Sequence, residues 1–160
     1  LTIGSITLGE ASDADIPALL AVLVAAFDEY RGLLDPPSGA HDETEERLRE
    51  TLCDTHAVLA RVGGELVGCV FYASMGDYVD LFRLAVLPSH RRRGVGRALI
   101  EYVEERALAW GIACVQLGVR VALPANRAYY ERMGYRFLEA RAHLGYAEPT
   151  YVILEKNLSG

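Results

Sequence analysis

Arg83-Leu84-Ala85-Val86-Leu87-Pro88-Ser89-His90-Arg91-Arg92-Arg93-Gly94-Val95-Gly96-Arg97 holds five arginines, two glycines spaced two apart and no acidic residue. An apolar, β-branched stretch stops at Pro88, a basic glycine loop follows, and an amphipathic pattern begins at Val95. Strand, loop and helix is the geometry this order dictates. A helix entered through glycines exposes free backbone N–H groups in its first turn. With the helix dipole and flanking arginines these form a site for phosphate oxygens, a pyrophosphate above all.

Outward from that loop, Tyr78 to Leu87 reads as the strand leading in. Val95 to Trp110 reads as the helix leading out, with Leu99, Val103, Ala107 and Trp110 on one face and Gly111 as its stop. Ile112 to Val119 is the next strand, so residues 78 to 119 form a parallel, right-handed strand–helix–strand unit. Upstream, residues 5 to 10 make a short strand. Ser12-Asp13-Ala14-Asp15 matches a capping box with Pro17 in the first turn, and Ile16, Leu19, Leu20, Leu23, Val24 and Phe27 repeat at helical spacing toward Tyr30. Pro36 and Pro37 break the following segment, and a helix over Glu43 to Cys53 buries Leu48 and Leu52. Strands Ala57 to Val62 and Glu65 to Ala73 flank Gly63-Gly64, which supplies the positive φ angles of a tight hairpin. Downstream come a helix from Pro124 to Met133, closed by Gly134, and strands Tyr135 to Ala140 and Thr150 to Leu154. The sum is a mixed α/β fold, a six- to seven-stranded sheet flanked by about four helices, in a single domain spanning residues 1 to 160.

Composition narrows the function. The chain has 160 residues, about half of them hydrophobic, enough to bury a full core without metal or disulfide help. Its formal net charge is −6, which argues against a general nucleic-acid binder, while 15 of its 16 basic residues are arginine and cluster locally. Cys53, Cys69 and Cys114 are odd in number and widely spaced, without a zinc or disulfide pattern, and read as small buried residues. Ile16 to Phe27 is too short for a bilayer, which needs about 20 apolar residues, and no basic residue precedes it as a signal peptide requires. A soluble, reducing, cytoplasmic setting without a membrane partner is expected. His41, His56, His90 and His143 have neither metal-ligand spacing nor a nucleophile partner, so no metal site is expected.

Neither familiar nucleotide loop fits the glycines. A dinucleotide fingerprint needs glycine where this chain has Leu99, and a P-loop needs Gly-Lys-Ser/Thr where it has Gly96-Arg97-Ala98. Leu84 to Pro88 followed by Arg91 to Leu99 instead resembles the acyl-CoA-binding strand and Arg/Gln-x-x-Gly-x-Gly/Ala loop of the GNAT superfamily of N-acetyltransferases. Asn126-Arg127-Ala128-Tyr129-Tyr130-Glu131-Arg132-Met133-Gly134-Tyr135 is similar to that family's later helix, Asn and then Tyr-Glu-x-x-Gly-Phe. The element order agrees as well, so the likeness spans residues 3 to 156.

The resemblance implies the acyl-CoA N-acyltransferase fold, with acetyl-CoA as co-substrate, and assigns roles. Arg91, Arg92, Arg93, Gly94, Val95, Gly96 and Arg97 would wrap the CoA pyrophosphate, mainly through backbone N–H groups. Leu84, Ala85 and Val86 would pair with pantetheine as with an added strand, the Val86 N–H polarising the thioester carbonyl. Tyr130 would protonate or hydrogen-bond the departing thiolate, with Tyr129 as its competitor, and Asn126 would cap the late helix and touch the cofactor. Asp80 would take a proton from the acceptor ammonium, directly or through water, with Asp77, Asp28 and Glu29 as further carboxylates on the substrate side. The acceptor is a primary amine on a small molecule or peptide, in a groove between Tyr30 to Ser38 and His143 to Pro149. A non-catalytic acyl-CoA sensor or a different acyl donor is the alternative. Relatives are frequently homodimers, and the last strand is the edge on which a second copy would pair.

Overall fold

The computed structural model describes residues 2, 3 and 5–159. One sheet runs through the molecule in the order β1-β2-β3-β4-β5-β6-β8-β7. The seven strands read from the sequence are present as β2 (Ile6–Glu10), β3 (His56–Val62), β4 (Glu65–Ser74), β5 (Val79–Val86), β6 (Cys114–Arg120), β7 (Arg136–Arg141) and β8 (Tyr151–Asn157). An unexpected two-residue strand, β1 (Thr2–Ile3), pairs with β2. The helices are α1 (Ile16–Phe27), α2 (Glu45–Asp54), α3 (Val95–Ala109) and α4 (Pro124–Arg132).

Local chemistry explains the boundaries. The Ser12 N–H donates to Asp15 Oδ2 at 2.8 Å, closing the capping box ahead of α1. Thr44 Oγ1 accepts from the Arg47 N–H at 3.1 Å and starts α2 two residues later than expected. Gly63 and Gly64, at φ +59° and +84°, make the β3–β4 hairpin turn with Val62 opposite Glu65. Gly94 at φ +84° is the N-cap of α3.

Helices cover both faces. α3 lays Val95, Leu99, Ile100 and Val103 on Val70, Tyr72, Leu81 and Leu117, while α1 and α2 lay Ile16, Leu19, Leu23 and Leu48 on Leu59, Cys69 and Phe71. In α1 the buried stripe includes Val22 and Ala26, and Val24 is exposed, contrary to the sequence reading. Of the cysteines Cys69 is buried, its thiol pushed up to about 12 by desolvation, whereas Cys53 is exposed and Cys114 half-buried. The last strand is not an edge: β8 lies between β6 and β7, and β7 is the outer strand.

α3 sits close to the sheet at Gly68. A Cβ there would come 3.0 Å from the Ala85 carbonyl oxygen, 3.0 Å from Val95 Cγ1 and 3.3 Å from Leu99 Cδ1. Gly68→Ala therefore pushes helix from sheet, and urea unfolding should show a loss of about 1–3 kcal/mol.

Candidate active site

The sheet splits at its centre. β5 and β6 pair in parallel through Val79↔Val115, Asp80↔Gln116 and Leu81↔Leu117 and no further, although β5 continues to Val86 and β6 to Arg120. A bulge accompanies the split: Phe71 faces Phe82 and Cys69 faces Ala85, so Val70 stands opposite both Arg83 and Leu84. Arg83 takes φ +53°, and the extra residue bends β5 away from its parallel neighbour. The Leu87 N–H donates to the Val67 carbonyl at 2.8 Å. By strand alternation the Val86 N–H therefore points away from β4, into the split.

Below the split lies the basic loop. After a 3-10 turn at Pro88–His90, Arg92 adopts φ +62° and Gly94 φ +84°, bringing the chain into the first turn of α3. Gly96, the second residue of α3, leaves room for the Tyr129 ring; a Cβ there would be 2.7 Å from Tyr129 Oη. A cavity of about 610 Å³ runs from this loop along the open edge of β5. Leu84, Ala85, Val86, Arg91, Arg92, Gly94, Val95, Gly96, Arg97, Asn126 and Tyr130 all line it, as do His90 and Tyr129. Arg93 is the one residue of the expected binding set that does not.

Arg91 has a structural duty as well. Its guanidinium donates to the Val86 carbonyl at 3.2 Å and the Ala26 carbonyl at 3.2 Å and pairs with Glu29, bolting the loop to the end of α1. Glu29 is thereby consumed. Asp28 pairs with Arg31 at 3.0 Å, and neither carboxylate, nor Asp77, reaches a cavity wall.

A second cavity, of about 190 Å³, opens on the α1–α2 side, with Tyr30, Leu34, Ser38, Phe82, Arg83, Gly118 and Arg120 on its wall. The two cavities share Phe27, Tyr30, Leu84, Asn126 and Tyr130. Tyr130 thus stands where they meet, whereas Tyr129 lines only the larger one. No described residue hydrogen-bonds the Tyr130 hydroxyl. Burial, then the neighbouring Tyr129 and Tyr30, raises its pKa well above the ordinary phenol value, so it carries its proton at neutral pH.

Asn126 is not the helix cap. Pro124 is the first residue of α4, Leu123 its N-cap, and the Asn126 side chain donates to Tyr30 Oη at 3.4 Å. Asp80 lies on the same sheet face as α1, since its neighbours Val79 and Leu81 are buried beneath α3. It lines neither cavity. Desolvation raises its carboxyl to about 6.

Of the two segments expected to flank the acceptor, only the first lines a cavity. Tyr30, Leu34 and Ser38 form one wall, but His143 to Pro149 contributes none; the opposite wall is the end of β6. The late loop instead braces the first, Tyr146 donating to Asp35, and Arg120 at the end of β6 donates to the carbonyls of Pro36 at 2.7 Å and Pro37 at 3.3 Å. His143 is held by Thr150 and packs on Tyr151 with ring centroids 4.9 Å apart. The sequence reading placed Tyr30 at the groove but gave no place in it to Arg83 or Arg120, both of which line the smaller cavity. For Arg120 a signal existed: Leu117 and Val119 alternate as core residues, which turns Gly118 and Arg120 to the other face. Among the described residues no group of three or more His, Cys, Asp or Glu is placed to hold a metal ion.

The split parallel pair, the glycine-cradled helix N-terminus and the two cavities that meet at Tyr130 make up the candidate site. The family model for the acetyltransferase (GNAT) family matches residues 23–135, and the chain belongs to that family. It is 28% identical over 127 residues to the IAA acetyltransferase of Azospirillum brasilense, covering 78% of this chain and 82% of that protein. A shorter match, 39% identical over 59 residues, joins it to the ribosomal protein bS18 alanine N-acetyltransferase of Escherichia coli K12, covering 37% of this chain and 40% of the relative. Among solved structures, the PaiA N-acetyltransferase of Thermoplasma acidophilum in complex with coenzyme A superposes with a TM-score of 0.83 at 19% identity, covering 96% of this chain and 99% of that one. The fold is that of the GNAT acyl-CoA N-acyltransferases.

Proposed function

We propose that this chain, as one catalytic domain acting in the cytoplasm, transfers the acetyl group of acetyl-CoA directly to a primary amine of a small molecule or peptide. The observation that carries this reading is the meeting of the two cavities at Tyr130 and Leu84. A donor and an acceptor entering from opposite sides of the sheet would touch there. The residues present fit coenzyme A: the α3 N-terminus with Gly94, Gly96 and the Arg92 and Arg97 side chains suits its diphosphate, and the unpaired edge of β5 suits the amide-bearing pantetheine arm.

Each group then has a task. An acceptor ammonium gives one proton to Asp80 through water, because Asp80 lines neither cavity while its neighbour Leu81 lines the smaller one. The amine nitrogen attacks the thioester carbonyl carbon, and the Val86 N–H donates to the oxygen on which negative charge develops, worth on the order of 3 kcal/mol. As the C–N bond forms the C–S bond breaks, Tyr130 Oη gives its proton to the departing sulfur, and the second proton leaving nitrogen passes through water to restore the Tyr130 hydroxyl. An amide and a free thiol result. Tyr30 and Asn126, tied to each other, hold the junction open.

Asp80 gives the pH test. Its raised value leaves it protonated below pH about 6 and basic above. Initial rates of thiol release should therefore fall as pH drops through 6, and Asp80→Asn should remove that limb while lowering kcat/KM by roughly 10²-fold. The sign for stability is opposite. A folded pKa above the unfolded value makes the buried charge a cost that grows from pH about 4 and is complete above about 6. Above pH 6, Asp80→Asn should thus melt at a higher temperature than the wild type. An unchanged acid limb in the variant removes Asp80 from the proton path.

A further inference from the structure

Resting on the transfer reading above, we infer that the acceptor is a small amine that also carries a carboxylate, of the size and polarity of an apolar α-amino acid. The charged residues on the wall of the smaller cavity are Arg83 and Arg120, and no acidic residue lines it. A site for a polyamine or another purely cationic amine needs carboxylates there. This one presents guanidinium groups, the side chains best matched to a carboxylate.

Both arginines keep charge and donors to spare. Arg120 spends its hydrogen bonds on the neutral carbonyls of Pro36 and Pro37; Asp35 acts on it electrostatically but is hydrogen-bonded by Tyr146, not by Arg120. Arg83 pairs with Glu43 through one nitrogen at 3.5 Å, while its Nη1 is buried without a partner. Neither arginine serves the donor phosphates, because both line only the smaller cavity and the phosphate loop lines only the larger. The rest of the wall limits the acceptor's size. Phe27, Leu34, Phe82 and Leu123 are apolar, and about 190 Å³ accommodates one compact apolar side chain.

Steady-state thiol release with acetyl-CoA should be compared for L-phenylalanine, L-phenylalaninamide and spermidine, on wild type, Arg120→Gln and Arg120→Lys. Arg120→Gln also releases the carbonyls of Pro36 and Pro37, so the readout is the ratio: loss of a carboxylate-to-guanidinium contact should lower kcat/KM for phenylalanine about tenfold or more beyond any fall for the amide. Arg120→Lys, keeping the charge, should lie between. A merely structural role for Arg120, holding the proline loop, would depress acid and amide alike, and that result overturns the proposal. Independently of any variant, 3-phenylpropionate, a carboxylate without an amine, should compete with the acceptor on the wild type; no competition at millimolar concentration also overturns it. If spermidine or the amide is acetylated and phenylalanine is not, this inference fails and the transfer reading stands. If none of the three is consumed while acetyl-CoA still raises the melting temperature, this inference fails, and the transfer reading falls only if a panel of peptide N-termini is refused as well.

Discussion

Tyr130→Phe lowers kcat by about 10²-fold and leaves the KM for acetyl-CoA within about twofold, measured as thiol release at saturating amine. The asymmetry follows from where the hydroxyl stands. Tyr130 lies at the junction of the two cavities, and its ring packs against Tyr129 and Tyr135 with centroids 5.5 and 6.1 Å apart. Phenylalanine keeps that packing and deletes only the unpartnered hydroxyl, so binding survives. A thiolate with a pKa of about 8.5 needs no strong acid, which caps the loss well below what a poor leaving group would show. Tyr129→Phe is the control. Its hydroxyl sits against Gly96 at the phosphate end, so its loss should touch donor affinity and spare kcat. An equal fall in kcat for the two variants would mean that neither hydroxyl faces the sulfur.

How much of this is legible in the sequence depends on the range of the signal. Gly63-Gly64 and Gly94-Val95-Gly96 were legible because glycine at a positive φ is a local requirement, and the hairpin and the loop-to-helix turn followed from it. The α3 stripe was legible because Glu101, Glu104 and Glu105 interrupt it. In α1 the twelve residues from Ile16 to Phe27 contain no charged side chain, so periodicity could not choose between Val22 and Val24. The Asn126 cap was misread although Pro124 announced itself as the first helical residue, which makes Leu123 the cap. The bulge was invisible for a different reason. Arg83 takes a left-handed conformation without glycine's permission, stabilised by the antiparallel pairing with β4 on either side of it, and such a compensation is tertiary. The split of β5 from β6, and the insertion of β8 between β6 and β7, likewise depend on contacts between distant segments. The resemblance therefore supplies the acetyl-CoA expectation, while the arginines of the smaller cavity emerge only once the two faces of the sheet are assigned.

Gly96→Asp weakens coenzyme A binding by about 100-fold, on the order of 3 kcal/mol, with little change in melting temperature. Two effects act together on affinity. The new Cβ falls 2.7 Å from Tyr129 Oη, so the ring must swing, and the larger cavity is the space beside it. The carboxylate then stands at the second residue of α3, within the field that attracts the diphosphate, and repels it. For the fold the same charge is favourable, because an acidic side chain in the first turn complements the helix dipole by about 0.3–1 kcal/mol. That offsets the strain of moving one hydroxyl, and affinity and stability part company. Isothermal titration with coenzyme A, alongside a thermal melt, separates the terms. Gly96→Ala, which moves Tyr129 without adding charge, should lose much less affinity, and the difference between the two variants should shrink as salt is raised. If Gly96→Asp binds coenzyme A as the wild type does, the diphosphate does not sit at the start of α3, and the open edge of β5 loses its proposed occupant with it.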